Sequence, residues 1–182
     1  MRQPTRKTAA LIAIPIVLVI AQVALVAAIP EETTPQQAQQ IRCPGEQMGV
    51  QATGEYLNRP VPEFVVNGEP WGGAYWQPGM RSYWHCHTGG QLLIVWEGEG
   101  RTQKRGERMQ MLHKGESSWA GPGEEHWHGG GTTTAGQFLQ GSPTPSMTLW
   151  MEEVSETDYI GNGIGMDTRA EFLRTGVREQ PR

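Results

Sequence analysis

Two pairs of histidines constrain the fold of this chain more than any other feature. Four of its five histidines follow the pattern His-x-His, namely His85 with His87 and His126 with His128. Residues two apart on a β-strand point to the same face of a sheet, so each pair would present two imidazoles to one side. Neutral imidazole binds Mn, Fe, Co, Ni, Cu and Zn. The pairs therefore predict two strands that face one metal site, and the alternative is four structural histidines among neighbouring aromatic rings.

Short apolar runs separated by turn residues predict that these strands belong to an all-β domain. The runs cover residues 64–66, 92–96 and 147–151, and Gly- and Pro-bearing segments lie between them. The chain has 24 Gly and 13 Pro, which break helices and supply turns. One short helix is predicted from Thr168 to Leu173, between two glycines.

The N-terminus predicts export. Three basic residues precede an apolar run over residues 9–29 that is long enough to cross most of a bilayer as a helix. Residues 1–28 are interpreted as a signal peptide cleaved after Ala28 or as an uncleaved membrane anchor, and a buried core helix is the third alternative. Because basic N-termini stay inside, the rest of the chain is predicted to be periplasmic or secreted.

Composition divides the remainder into three parts. Residues 29–61 are rich in Gln, Glu, Thr and Pro and predict a loosely ordered arm, because they have little apolar surface to bury. Residues 62–160 contain the apolar runs and predict one domain, and residues 161–182 are a more polar tail. We expect membrane contact only through the N-terminal segment.

Charge and cysteine content exclude other classes of protein. The net charge of −4 argues against a nucleic-acid partner, which needs clustered cations. One interrupted basic cluster predicts a solvated hairpin: Arg101, Lys104, Arg105 and Arg108. Cys43 and Cys86 fit neither a disulfide framework nor a zinc-finger spacing, so they are either bridged or buried. Cys86 alternates with its histidine neighbours and is interpreted as a packing residue rather than a thiolate nucleophile.

The spacing of glycines around both histidine pairs resembles that of bacterial single-domain cupins of type 2. Gly79 lies six residues before His85, Gln91 lies four after His87, and Gly98 lies seven after Gln91. The second motif is in register at Gly115, Gly121, Gly123, His126 and Gly130, with Gly121 and Gly130 in place of the usual Pro and Asn. The resemblance implies a jelly-roll barrel with a metal inside and a mouth for a small molecule.

Four stretches resemble, more narrowly, the manganese-dependent hydroxynitrile lyases of this superfamily. They are residues 85–95, 122–129, 133–135 and 150–159. The resemblance implies that a divalent metal, Mn²⁺ or else Fe²⁺, Ni²⁺ or Zn²⁺, is bound by four residues: His85, His87, Gln91 and His126. Gln91 stands where most cupins have Glu, so the site carries one more unit of positive charge and attracts an anionic or carbonyl-bearing ligand more strongly.

The catalytic residues are less defined than the ligands. In the lyases a further histidine assists proton transfer, and ungapped extension places Phe138 at that position. His128 shares a strand face with His126 and is the candidate acid or base, with a structural role as the alternative. Gln137 and Gln140, on the next predicted strand, are candidates for contact with substrate.

Three functions are consistent with these features. The first is an exported metal-dependent lyase that uses the ion as a Lewis acid on a small oxygenated substrate. The second is an Fe or Mn dioxygenase that binds O2 at an open coordination position. The third is a non-catalytic protein of the cell envelope that binds a metal or small ligand. The resemblance also implies a homo-oligomer.

Overall fold

A computed structural model describes residues 43–59, 65–66, 69–70, 72–142 and 144–175. The predicted signal or anchor segment, residues 1–28, and the first part of the predicted arm lie outside these residues. Within the described ranges, no helix is both long and apolar enough to cross a membrane.

The described residues form an all-β structure with two short helices at its C-terminal end. The strands are β1 (Leu57–Asn58), β2 (Val65–Val66), β3 (Glu69–Pro70), β4 (Gly73–Trp76), β5 (His85–His87), β6 (Gln91–Lys104), β7 (Gln110–His113), β8 (Ser117–Ala120), β9 (His126–Gly130), β10 (Gly136–Gly141) and β11 (Thr148–Trp150). The helices are α1 (Glu156–Tyr159) and α2 (Met166–Thr175). The predicted helix from Thr168 to Leu173 is confirmed, since it lies within α2.

Antiparallel pairing joins the strands in the order β1-β4-β10-β6-β9-β5-β11, and β7 and β8 also pair with β6. The first half of β6 pairs with β8 and β10, whereas its second half pairs with β7 and β9. Gly98 lies at this change of partner with a φ of 76°, and a Cβ there would overlap the carbonyl of Ala135. Only glycine fits the bend, which folds the sheet into the jelly roll that the sequence predicted.

Two buried clusters fill the molecule. One lies around the inner strands: Ala74, Trp76, Leu93, Val95, Leu112 and Phe138. The other lies under the C-terminal segment: Trp84, Trp127, Met151, Val154, Tyr159 and Phe172. Phe172 of α2 is only 7% exposed. Part of the polar tail therefore packs against the barrel through one aromatic ring.

Residues 43–59 also lie against the barrel, whereas their composition predicted a loose arm. Cys43 forms a disulfide with Cys86 of β5, so the bridged alternative for the cysteines is the one observed. Glu46 pairs with Trp150, and β1 pairs with β4. Backbone hydrogen bonds and a disulfide hold this segment against the barrel. The prediction of a loose arm considered only apolar side chains, so it did not take these two kinds of bond into account.

Reduction of the disulfide should lower the free energy of unfolding by about 2 to 4 kcal/mol, because the bond closes a long loop and restricts the unfolded chain. The two cysteines are 43 residues apart in sequence. Urea unfolding with and without dithiothreitol measures the change. The Cys43→Ala/Cys86→Ala variant is the control and should not respond to the reductant. An unchanged midpoint after verified reduction would contradict the prediction.

The predicted solvated hairpin is wrong for two of its four basic residues. Arg101 is 7% exposed, and the Arg105 side chain is equally buried. Arg105 forms ion pairs with Glu125 at 2.9 Å and Glu152 at 2.8 Å, and its guanidinium stacks 3.6 Å from the centre of the Trp84 ring. Carboxylates distant in sequence thus compensate a buried charge, which a local pattern of charges does not reveal.

Candidate metal centre

Neighbouring strands bring the two histidine pairs together. β5 and β9 are antiparallel partners, and His85 lies directly opposite His126. His85, His126 and His128 are at most 3% exposed, and His87 is half-buried. The ring centres of His85 and His126 are 4.3 Å apart, and that of His87 is 5.1 Å from His85. The prediction that both pairs face one site is therefore confirmed.

Hydrogen bonds fix the orientation of three of the rings. Nδ1 of His85 donates to the carbonyl of Tyr83 at 2.8 Å, and Nδ1 of His126 donates to the carbonyl of Glu124 at 2.9 Å. Nδ1 of His87 lies 3.2 Å from Oγ1 of Thr148. A partner on Nδ1 leaves the Nε2 lone pair available, which is how proteins orient histidines that bind metals.

Gln91, the first residue of β6, completes the group. Its Oε1 lies 2.8 Å from Nε2 of His126. Since Nδ1 of a neutral His126 carries the proton, Nε2 and Oε1 both present lone pairs. Two acceptors at this distance fit a shared cation, so the donor set suits a divalent metal.

Two further observations fit a cation. Nε2 of His87 is buried and has no hydrogen-bond partner among the described residues. The ring nitrogens of His85, His126 and His128 come within 4.8 Å of one another, the only such group of three titratable side chains in the described ranges. The structure thus brings together all four histidines and Gln91, and His128 is as close to the centre as the sequence-predicted ligands.

Burial keeps these imidazoles neutral. Desolvation lowers the pKa of His85 to about 4, although the bond to Tyr83 opposes the shift. Desolvation and the neighbouring His85 lower the pKa of His87 to about 3. The pKa values of His126 and His128 are also well below the ordinary value, chiefly through burial. Neutral rings are the form that binds a metal.

The metal-free protein should lose stability as the pH falls from about 6.5 towards 4. Because burial lowers the pKa of His85 in the folded state, the unfolded chain binds a proton there that the folded chain rejects. Each such histidine changes the free energy of unfolding by about 1.4 kcal/mol per pH unit in this window. Urea unfolding at several pH values measures the slope. His85→Gln should make it shallower, whereas the exposed His113→Gln should not, and equal slopes in all three proteins would contradict this account.

His128 differs from the other three histidines in its surroundings. Its Nδ1 is buried without a hydrogen-bond partner in the described part of the chain. Its ring packs 5.4 Å from that of Trp76 and 5.8 Å from that of Phe138. Phe138 is fully buried, so the position that would carry the lyase histidine lies beside His128 inside the barrel.

Comparison with known proteins identifies the central part of the chain. Residues 74–139 match the family model described as a cupin domain. These residues belong to a type-2 cupin domain. The chain is 41% identical over 85 residues to an (R)-mandelonitrile lyase of Granulicella tundricola. The aligned region covers 46% of this chain and 65% of the lyase. The match therefore spans less than two thirds of that relative. The resemblance of the cupin domain to hydroxynitrile lyase-like cupins is thus confirmed.

A solved structure supports the fold of the cupin domain. A cupin-like protein of Thermotoga maritima superimposes with a TM-score of 0.51 and 28% sequence identity. The superposition covers 65% of this chain and 91% of that protein.

The two glutamines of β10 lie on different sides of the cupin barrel. Gln140 lines the cavity at the metal centre. Gln137 does not line it, because its Nε2 donates to the carbonyl of Arg59 at 2.9 Å. Residues two apart on a strand point to the same face and residues three apart to opposite faces, so Phe138 and Gln140 share the inner face of β10 while Gln137 points away from it. The structure thus brings only one of the two predicted substrate contacts to the site.

Two adjoining chambers, an inner one and a more open outer one, lie at the histidines of the cupin domain and share four lining residues: His87, Gln91, Gln140 and Thr148. The inner one has a volume of about 90 Å³, and its aromatic wall consists of Tyr56, Trp76 and Trp150. The outer one has a volume of about 210 Å³ and is lined by serine and threonine hydroxyls and by amides. Sequence reasoning missed Tyr56, which belongs to the segment with the composition of an arm. The sequence around Tyr56 does not indicate this position, because the pairing of β1 with the distant strand β4 brings Tyr56 to the cavity.

Proposed function

We propose that this cupin is an exported manganese enzyme that uses the metal as a Lewis acid on a small oxygenated substrate, as a lyase. The observation that carries the proposal is the grouping of the oriented His85 and His126 rings, 4.3 Å apart, with the Gln91 amide oxygen 2.8 Å from Nε2 of His126 and the His87 ring beside them. The identity with a mandelonitrile lyase supports the reaction class. Cleavage of a carbon–carbon bond next to an oxygen is the chemistry that such a site would serve.

Four residues would hold the metal: His85, His87, Gln91 and His126. His87 is preferred to His128 because the Thr148 hydroxyl, 3.2 Å from Nδ1 of His87, orients that ring, whereas Nδ1 of His128 has no partner in the described chain. A bound divalent ion would polarise a carbonyl or hydroxyl oxygen of the substrate. A neutral Gln91 leaves more of the ion's positive charge uncompensated than a carboxylate would.

The protein's own groups would position the substrate and move the proton. His128 is the one imidazole left beside the centre, and its Nδ1 has no partner among the described residues. It can therefore accept a proton from a substrate hydroxyl without breaking a bond to the protein. The wall of Trp76 and Trp150 excludes water from the inner chamber.

Export and assembly belong to the same proposal. A disulfide between Cys43 and Cys86 persists in an oxidising compartment, which supports a periplasmic or secreted location for the domain. Recovery of the full chain from the cytosol with residues 1–28 intact would overturn that part. The partners proposed are a small-molecule substrate and further copies of this chain.

Elemental analysis and a substrate panel test the proposal. Purified protein should contain about one manganese per chain and should cleave small cyanohydrins or β-hydroxy carbonyl compounds in the absence of oxygen. Acetone cyanohydrin, glyceraldehyde and diacetone alcohol form the first panel, and metal-stripped protein is the control. Turnover that consumes O2 in proportion to product would favour the dioxygenase. A fully loaded site without turnover in any condition would favour the binding protein.

A further inference from the structure

Two polar side chains at the outer chamber have buried atoms without partners. Oε1 of Gln140 and Oγ of Ser142 have no hydrogen-bond partner among the described residues. Both residues line the outer chamber. A buried polar atom without a partner is destabilising, so a site that retains two of them is suited to a ligand that supplies the missing hydrogen bonds.

The amide of Gln140 is held in place from the other side. Its Nε2 donates to the hydroxyl of Tyr56 at 3.4 Å, and the Tyr56 ring packs edge-on against Trp76 at 5.7 Å. This contact leaves the amide oxygen as the free end of the side chain. Gln140 lines both chambers, so it stands where the inner one opens into the outer one.

The remaining lining of the outer chamber is neutral. Ser146 is already engaged, since its hydroxyl accepts a hydrogen bond from the backbone N–H of Gly89 at 2.9 Å. Thr148 contacts His87. Among the described residues, no lysine or arginine lines this chamber. It therefore offers hydrogen bonds to a neutral group and nothing that would compensate an anionic one.

We infer that Gln140 and Ser142 form a subsite for a neutral hydroxyl on the substrate, two or three bonds from the group that the metal binds. The outer chamber shares His87 and Gln91 with the inner one, so a single small molecule reaches both. The substrate class is then a compact polyhydroxylated compound and not a dicarboxylate. The oxygen-bearing group at one end of this compound, here called the head, would bind the metal. This inference rests on the proposed function, because the metal would hold the head.

Binding of three hydroxy acids to the manganese-loaded protein tests the subsite without requiring turnover. D-Glycerate and D-lactate differ only in a terminal hydroxyl, and tartronate carries a carboxylate at that place. Isothermal titration should show that D-glycerate binds about 3- to 10-fold more tightly than D-lactate, as expected for one or two neutral hydrogen bonds. Tartronate should bind less tightly than D-glycerate.

Variants assign the preference to the two residues. Gln140→Met and Ser142→Ala should each bring the ratio of the two dissociation constants towards 1 by weakening D-glycerate binding, while manganese content stays unchanged. Gln137→Met is the matched control, because Gln137 is on the same strand but bonds to Arg59, and it should keep the wild-type ratio.

A wild-type ratio near 1, tighter binding of tartronate, or no binding of either acid would overturn the inference. The proposed function fails separately. A preserved preference for D-glycerate without any catalytic turnover would contradict the proposed lyase activity and support the subsite. Turnover with a ratio of 1 would support the lyase activity and contradict the subsite.

Discussion

His126→Ala should lower the affinity of the protein for manganese by about 100-fold or more. His126 lies opposite His85, its Nδ1 is fixed by the carbonyl of Glu124, and its Nε2 is 2.8 Å from the oxygen of Gln91. Even loss of a group that only orients a ligand typically costs 10- to 100-fold, and loss of the ligand itself should cost more. Metal content after dialysis and titration with Mn²⁺ measure the effect.

His128→Ala is the decisive comparison. If His85, His87, Gln91 and His126 hold the metal, this variant should keep most of it, as should His113→Ala at the exposed end of β7. The close group of His85, His126 and His128 provides the competing ligand set. Loss of the metal in His128→Ala with retention in His87→Ala would establish that set instead.

The second large effect concerns proton transfer. The wild-type protein, loaded with manganese, should cleave mandelonitrile slowly or not at all, because Phe138 occupies the position of the histidine that assists the resembled lyases. Phe138→His should raise the rate by about 10²- to 10⁴-fold, the usual contribution of a positioned acid or base. The ring at position 138 lies 5.8 Å from His128 inside the barrel, so the new imidazole would lie beside His128. Benzaldehyde release measures the rate.

Two controls separate a new base from a change of packing. Phe138→Leu also alters the first buried cluster but adds no base, so it should not gain activity. Phe138→His combined with His87→Ala should stay inactive if the metal is required. Rapid cleavage by the unmodified protein would show that the reaction does not need a base at position 138, and His128 would take that role.

The sequence by itself determined the fold class and the neighbourhood of the site. Its histidine pairs, glycine spacing and short apolar runs depend on strand alternation and turn geometry, which are local rules. The same rules predicted α2 and placed both histidine pairs at one site, whereas Gln91 was assigned to the site through the resemblance to cupins. Gln137 and Gln140 are three residues apart on β10, so the same alternation allows only one of them to face the cavity, and the structure shows that this is Gln140.

Only the tertiary structure decided what surrounds that point. Tyr56 reaches the cavity through the pairing of β1 with β4, and Cys43 reaches Cys86 across 43 residues of sequence. Arg105 is buried because Glu125 and Glu152, remote in the chain, compensate its charge. Each of these contacts depends on pairing between distant segments. Composition and periodicity describe one segment at a time, so they predict which residues can form the site but not which distant segments close around it.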